Sequence, residues 1–154
     1  MQTGPMRALL QRVIGASVEA GDQVIGSIDR GVVTLLAVAA GDGPEDSRYL
    51  SDKILHLRIF DDDRGKLNHS LVTTGGACLL IPQFTLLANT TRGRRPDFLG
   101  AAAPGIAAPL VQDVAARLRQ GGVAVVEGRF GARMVLRLAN DGPVTILLDS
   151  RERT

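Results

Sequence analysis

Cysteine is almost missing from this 154-residue chain, and a lone Cys78 excludes an internal disulfide framework. Tryptophan is absent, and one tyrosine and four phenylalanines bring the aromatics to 3%. That is little material for a base-stacking platform of the single-strand-binding kind. No apolar run approaches the roughly 20 residues that a membrane helix needs, and no membrane partner is expected. Residues 1–6 carry neither a basic n-region nor an apolar h-region, so no secretory signal is read there and a cytoplasmic, reducing location is expected. The two histidines, His56 and His69, have no spacing that suggests a metal pair. No Walker loop, Gly-x-Ser-x-Gly elbow, dinucleotide fingerprint or zinc-ligand set occurs, and neither a cofactor nor a metal is expected.

The residues present are those of a single globular domain, with 45% hydrophobic and 22% charged side chains, and its core is read over about residues 6–149. A net charge of +2 is too small to draw in nucleic acid by bulk electrostatics. The kind of positive charge is more informative, because Lys53 and Lys66 are the only lysines among 18 basic residues. Arginine offers a planar fork of donors suited to phosphate and carboxylate, although a general coding bias toward arginine is the simpler account of the excess. Asp61-Asp62-Asp63 lacks the later ligands of an EF-hand loop and reads as a solvated turn. Cys78 lies in an apolar run and reads as an inert buried residue.

Strand signals dominate. Residues 7–13 lead into 16–19, a turn follows at Gly21-Asp22, and 23–28 form the next strand. Residues 32–40 are a nearly continuous apolar run, as in a strand covered on both faces. Asp42-Gly43-Pro44-Glu45 is a helix start, with Leu50, Ile54 and Leu55 on its apolar stripe and an end near Leu57. Residues 77–81 form a strand running straight on into Pro82-Gln83-Phe84-Thr85-Leu86. Residues 101–119 carry Ile106, Leu110, Val111, Val114 and Leu118 at helical spacing, stopped by Gly121-Gly122. Strands at 123–126 and 134–138 flank a turn at 128–131. Asn140-Asp141-Gly142-Pro143 should break the chain sharply before a last strand at 144–148. The expected fold class is α+β: two packed, largely β sheets with helices on one outer face.

Two segments carry more specific information. Ile81-Pro82-Gln83-Phe84-Thr85-Leu86, followed by residues 91–98, and Asn140-Asp141-Gly142-Pro143-Val144-Thr145 closely resemble motifs of the D-aminoacyl-tRNA deacylase family. Leu10-Gln11-Arg12-Val13 and the stretch from Leu57 to Asn68 are also similar to that family, so the resemblance spans roughly residues 6–149. It implies a homodimeric enzyme with its active sites at the subunit interface. Its substrate is aminoacyl-tRNA: it hydrolyses the ester between a D-amino acid and the 3′-terminal adenosine, and also removes glycine mischarged on tRNA for alanine. The resemblance further implies a cis Gly142–Pro143 bond whose loop reaches the partner's pocket as a chiral gate. Gln83, Phe84 and Thr85 would line the adenosine and aminoacyl pocket, Arg12 would hold the Gly-Pro loop, and Met134 would form a pocket wall.

Catalysis is not assigned to a side chain with the same clarity. Thr85 is a candidate nucleophile, but threonine needs a nearby base, and the motif supplies none. The alternative is a strand residue whose hydroxyl binds substrate or backbone. In that case the ribose 2′-OH does the chemical work, and N–H groups near Phe84 and Thr85 hold the oxyanion. Pro82 departs from the family's serine and is shared with a related animal deacylase that acts on L-alanyl-tRNA. Arg92, Arg94 and Arg95 follow the pocket motif, as contacts for acceptor-stem phosphates or as a solvated loop that steadies a dimer. A non-catalytic tRNA-end binding module and a small-molecule esterase are the rival function classes.

Overall fold

In the computed structural model, which describes residues 5–152, the 14-residue strand β1 (Arg7–Ala20) is the spine of the sheet. One edge of β1 pairs along almost its whole length with β8 (Val135–Asp149). The other edge is shared. Residues 7–13 pair with β3 (Gly31–Ala37), and residues 16–20 with β2 (Gln23–Ile28) across the tight Gly21-Asp22 turn. Beyond β3 the sheet continues in parallel through β6 (Ala77–Pro82) to β7 (Val125–Glu127). A separate two-stranded ladder joins β4 (Phe60–Asp61) and β5 (Leu67–His69).

The side-chain alternation of β3 and β6 builds two cores from one pair of strands. Val32, Leu36, Cys78 and Leu80 face the helices, whereas Val33, Leu79 and Ile81 face the opposite way. Strands buried on both faces need apolar residues at successive positions, which is why 32–38 reads as a continuous run. On the helical side, α1 (Pro44–His56) contributes Leu50 and Ile54, and α3 (Pro104–Gln120) contributes Val114 and Leu118. Ser47 on α1 hydrogen-bonds the Asp113 carboxylate on α3, which also pairs with Arg117 at 2.9 Å. Ile106, expected on the buried stripe, is exposed, and Ala107 and Ala115 are buried in its stead because α3 lies close to its neighbours. A single turn, α2 (Leu71–Thr74), is capped by the Ser70 hydroxyl.

The fold is α+β with helices on one face, as expected, but the two expected packed sheets are two layers of one continuous mixed sheet. β1 and β8 are long enough, at roughly 45 Å of extended chain, to run through both layers. Register shifts between Gln11 and Val13 and between Val13 and Gly15 bend them. β2 then lies over β7 so closely that a Cβ on Gly26 would come within 2.5 Å of Val126 Cγ1. The second core, Val13, Val18, Ile28, Val33, Leu79 and Ile81, fills the fold.

Helix α1 begins as its sequence suggests, except that Gly43 takes the cap position and the Asp46 carboxylate accepts its N–H at 2.9 Å. Asp42 closes the preceding turn, accepting the Ala39 N–H at 2.6 Å. Only 8% of Asp42 is exposed, and Oδ1 has no hydrogen-bond partner among the described residues. Burial pushes its carboxyl up to about 7. The Ala39 bond opposes this, Asp46 and Asp149 reinforce it, and Arg151 opposes it. Between about pH 4 and 7 the folded chain therefore keeps a proton that the unfolded chain has lost, so stability falls as pH rises through that window. The slope can reach about 1.4 kcal/mol per pH unit. Asp62 and Asp113, whose carboxyls are held low, lose stabilisation only as pH falls below this range. Urea unfolding of the wild type is expected to show a declining midpoint from pH 4.5 to 7, and Asp42→Asn is expected to remove most of that decline. An unchanged slope in the variant would show that Asp42 is not its source.

Candidate active site

Strand β6 ends where its partner ends. Pro82 is the last residue paired with β3, opposite Leu36, and Gln83 N–H still donates to Leu36 O at 2.7 Å. Past Ala37 there is no strand for β6 to follow, and the chain winds into a 3-10 turn at Phe84–Leu87. Thr85 therefore sits on a helical turn, not on the strand expected of it. The Leu86 N–H bonds Gln83 O at 3.2 Å, and the Gln83 side-chain amide hydrogen-bonds the Thr85 hydroxyl. The turn presents the Phe84 ring at 56% exposure, held edge-on by Phe98 at 5.1 Å between centroids.

Beside this turn lies a largely apolar cavity of about 570 Å³, a size common for small-ligand sites. Leu36 and Ile81 form its buried base; Pro82, Gln83, Phe84 and Phe98 make one wall, and Phe130 and Met134 the other. Met134 is fixed through its sulfur, which accepts the Arg129 N–H at 3.3 Å. Three of the expected site residues, Gln83, Phe84 and Met134, thus meet in one cavity. Thr85 is exposed beside it, and its hydroxyl's partner is Gln83, not a carboxylate or imidazole. Cys78 is fully buried, with its thiol pushed up to about 12 by burial, and Thr34 is its neighbour at 3.4 Å. It is no nucleophile.

The other expected residues form a second group. β8 does not stop at Asn140-Asp141-Gly142-Pro143 as the sequence suggests, because β1 pairs on either side of it. Gln11 faces Thr145 and Val13 faces Asn140, so residues 141–144 bulge out between two paired positions. The Gly142–Pro143 bond is cis, as the resemblance implies, and both residues are exposed. Asn140 braces the bulge, accepting the Val144 N–H at 3.0 Å and donating to the Thr145 hydroxyl at 2.9 Å.

Arg12 secures it from below. Its Nε–H donates to Asp141 O, and Nη1 donates to Ile59 O and Asp61 Oδ1, all at 3.0 Å. The Asp141 carboxylate adds an ion pair at 3.4 Å. A Cβ on Gly142, where φ is +126°, would lie 3.0 Å from Arg12 Nη2 and 2.8 Å from Val144 Cγ2, so only glycine fits there. Neither Gly142 nor Pro143 lines the 570 Å³ cavity; Arg12 and Asp141 line a separate one of about 260 Å³.

Asp61, Phe98 and Phe130 were not anticipated as site residues. The turn reading holds for Asp62, which accepts the Arg64 and Lys66 N–H groups, but Asp61 reaches back to Arg12. An arginine beside the apolar Val13 in a strand that must be covered on one face was the available signal for such a partner.

A family model described as D-Tyr-tRNA(Tyr) deacylase matches residues 9–149. The chain is 55% identical over 145 residues to a D-aminoacyl-tRNA deacylase of Roseiflexus sp. (strain RS-1), covering 94% of each chain. It is 49% identical over 148 residues to that of Thermus aquaticus, covering 96% of this chain and 97% of the relative. Among solved structures it is similar to the c-Myc DNA Unwinding Element Binding Protein, with a TM-score of 0.87, 35% identity, and coverage of 93% and 97% of the two chains. A probable eukaryotic D-amino acid tRNA deacylase shares the fold, with a TM-score of 0.81 at 22% identity over 94% of this chain and 99% of that one.

Replacing Arg12 would leave Ile59 O and Asp141 O without their donor, while the half-exposed Asp61 carboxylate would return to water. Arg12→Met is expected to cost about 2 kcal/mol in denaturant unfolding, as for buried carbonyls left without a donor, and to raise hydrogen exchange at residues 141–144. A loss below 1 kcal/mol with unchanged exchange would mean that the clamp does not hold the bulge.

Proposed function

The chain belongs to the D-aminoacyl-tRNA deacylase family, and on that premise we propose how its cavity and its Gly-Pro bulge divide the reaction. The enzyme hydrolyses the ester that joins a D-amino acid to tRNA. In this reading the 3′-terminal adenosine and its aminoacyl group enter the 570 Å³ cavity, against Gln83, Phe84 and Met134. The carrying observation is the turn at Phe84–Leu87. The first N–H groups of a helical turn have no partner within it, and those of Phe84 and Thr85 make no hydrogen bond among the described residues. Two free donors at the cavity's edge suit the oxyanion that develops when an ester is attacked. No general base accompanies Thr85, so the attacking system is assigned to the substrate, whose ribose 2′-OH adjoins the scissile ester.

Chirality needs more than the cavity. An apolar pocket separates similar substrates by only about 1–3 kcal/mol, whereas 10⁴-fold rejection takes roughly 5.5 kcal/mol at about 1.36 per decade. A backbone carbonyl held in place can supply this by colliding with the Cβ of an L-residue and leaving the D-side open. Glycine, without a Cβ, passes the same gate, which extends the activity to glycine mischarged on tRNA for alanine. Gly142 and Pro143, exposed and clamped by Arg12, are assigned that role. They stand outside their own chain's cavity, so the gate acts in the cavity of a second copy. A two-fold dimer places each bulge in the other's site.

Thr85→Ala is expected to retain at least about a third of wild-type turnover of D-aminoacyl-tRNA. A substrate ending in 2′-deoxyadenosine is expected to lose about 100-fold or more, within the range for a lost acid–base group. Measured single-turnover rates showing the reverse order would make Thr85 the nucleophile. L-Alanyl-tRNA belongs in the same assay because Pro82 lines the cavity, and its rapid hydrolysis would contradict the D-specific assignment.

A further inference from the structure

The cavity's mouth carries charge that the reaction at its base does not use. Beyond the Phe84 turn, Asn89 and Asp97 exchange backbone hydrogen bonds at 2.8 and 3.0 Å and pinch residues 89–97 into a projecting finger. The Asn89 carboxamide oxygen stiffens its base by accepting the Thr91 N–H at 3.0 Å and its hydroxyl at 2.8 Å. Arg92, Arg94 and Arg95 lie on this finger, all exposed and none in an ion pair among the described residues. The finger returns directly into Phe98 and Ala101, which line the cavity. On the opposite wall Arg129 and Arg133 are exposed beside Phe130 and Met134, again with no ion pair among the described residues. Of the other described arginines, Arg7, Arg12, Arg117, Arg119, Arg137 and Arg151 pair with carboxylates. Arg30, Arg48, Arg58 and Arg64 are exposed and unpaired among the described residues, so what sets the mouth apart is the gathering of five such arginines around one cavity. The carboxylates nearest the mouth are engaged. Asp97 accepts the Leu99 N–H at 3.3 Å, and Glu127 pairs with Arg119 at 3.1 Å.

We propose that Arg92, Arg94 and Arg95, together with Arg129 and Arg133 across the mouth, form a rim that grips backbone phosphates of the tRNA strand leading into the cavity. The proposal rests on the deacylase reading and adds what that reading leaves open, the surface that recognises tRNA beyond its last nucleoside. Guanidinium forks match phosphate oxygens and hold position without reading bases. With a net charge of only +2 on the chain, binding depends on where the charge is concentrated, not on how much there is. A finger pinched at its base keeps the three arginines near the mouth while they remain solvated.

The test compares two substrates of one enzyme: D-tyrosyl-tRNA and the 3′-D-tyrosyl ester of adenosine, which lacks the phosphate backbone. Simultaneous Arg92→Gln, Arg94→Gln and Arg95→Gln substitution is expected to raise KM for the tRNA about tenfold or more, with kcat nearly unchanged. KM for the adenosine ester should stay the same. The slope of log KM against log salt for the tRNA should flatten by about 0.7–0.9 for each phosphate that is no longer neutralised. The triple lysine variant, which keeps the charge, should restore most of that slope. Arg129→Gln with Arg133→Gln should produce the same pattern independently. An unchanged tRNA KM and salt slope would overturn the proposal, as would equal losses on both substrates, which would indicate a damaged cavity or dimer. If the wild type released D-tyrosine from neither substrate, the deacylase reading itself would fall, a result distinct from any of these.

Discussion

Arg12 places a full positive charge where it is 5% exposed, next to Val13 on β1 and opposite Val32 on β3. A guanidinium removed from water costs several kcal/mol unless its donors are satisfied. Here Ile59 O, Asp141 O and the Asp61 and Asp141 carboxylates together replace that water. The network ties β1 to the β4 ladder and to the bulge in β8, three pieces of chain far apart in sequence. β1 also pairs with β3, which carries Leu36 at the base of the cavity, and with the half of β8 that follows Met134. The same strand therefore fixes both the cavity and the bulge, and the arginine fixes the bulge's attitude relative to it.

On the proposed reading, that geometry separates two tasks that compete when one surface performs both. The cavity is apolar and permissive, suited to an adenosine and a side chain of variable size. The bulge is short, carries backbone at its tip and is rigidly braced, suited to excluding one hand of Cα. Gly142 is confined by Arg12 and Val144 so closely that a side chain has no room, which leaves backbone as the surface presented outward.

The parts of this arrangement legible in sequence were those with local causes. The 3.6-residue stripe of α3, the proline and acidic first turn of α1, and the doubly buried run of β3 each follow from their own residues. The motif around Gln83 and Phe84 and the Gly142-Pro143 pair were likewise visible, through their resemblance to known motifs. What was missed depended on partners. Asn140-Asp141-Gly142-Pro143 reads as a chain break, yet β1 holds β8 together on both sides of it. Residues 84–87 read as extended, yet β3 ends and leaves them nothing to pair with. Asp61 reads as one of three solvated aspartates until the fold brings it to Arg12. The abundance of strands points to two packed sheets, and the bends in β1 and β8 make the two layers one sheet.

The central claim is that the bulge governs selectivity in a cavity belonging to another copy of the chain. Subunit mixing tests it most directly. One chain would carry Phe84→Ala, disabling its cavity while keeping its bulge; the other would carry Arg12→Met, keeping its cavity but freeing its bulge. With the Phe84→Ala chain in excess, the working cavities should be served by intact bulges, and L-aminoacyl-tRNA should be spared while D-aminoacyl-tRNA is hydrolysed. Hydrolysis of the L-ester in proportion to the Arg12→Met chain, whatever its partner, would mean that the bulge acts within its own chain and would contradict the account.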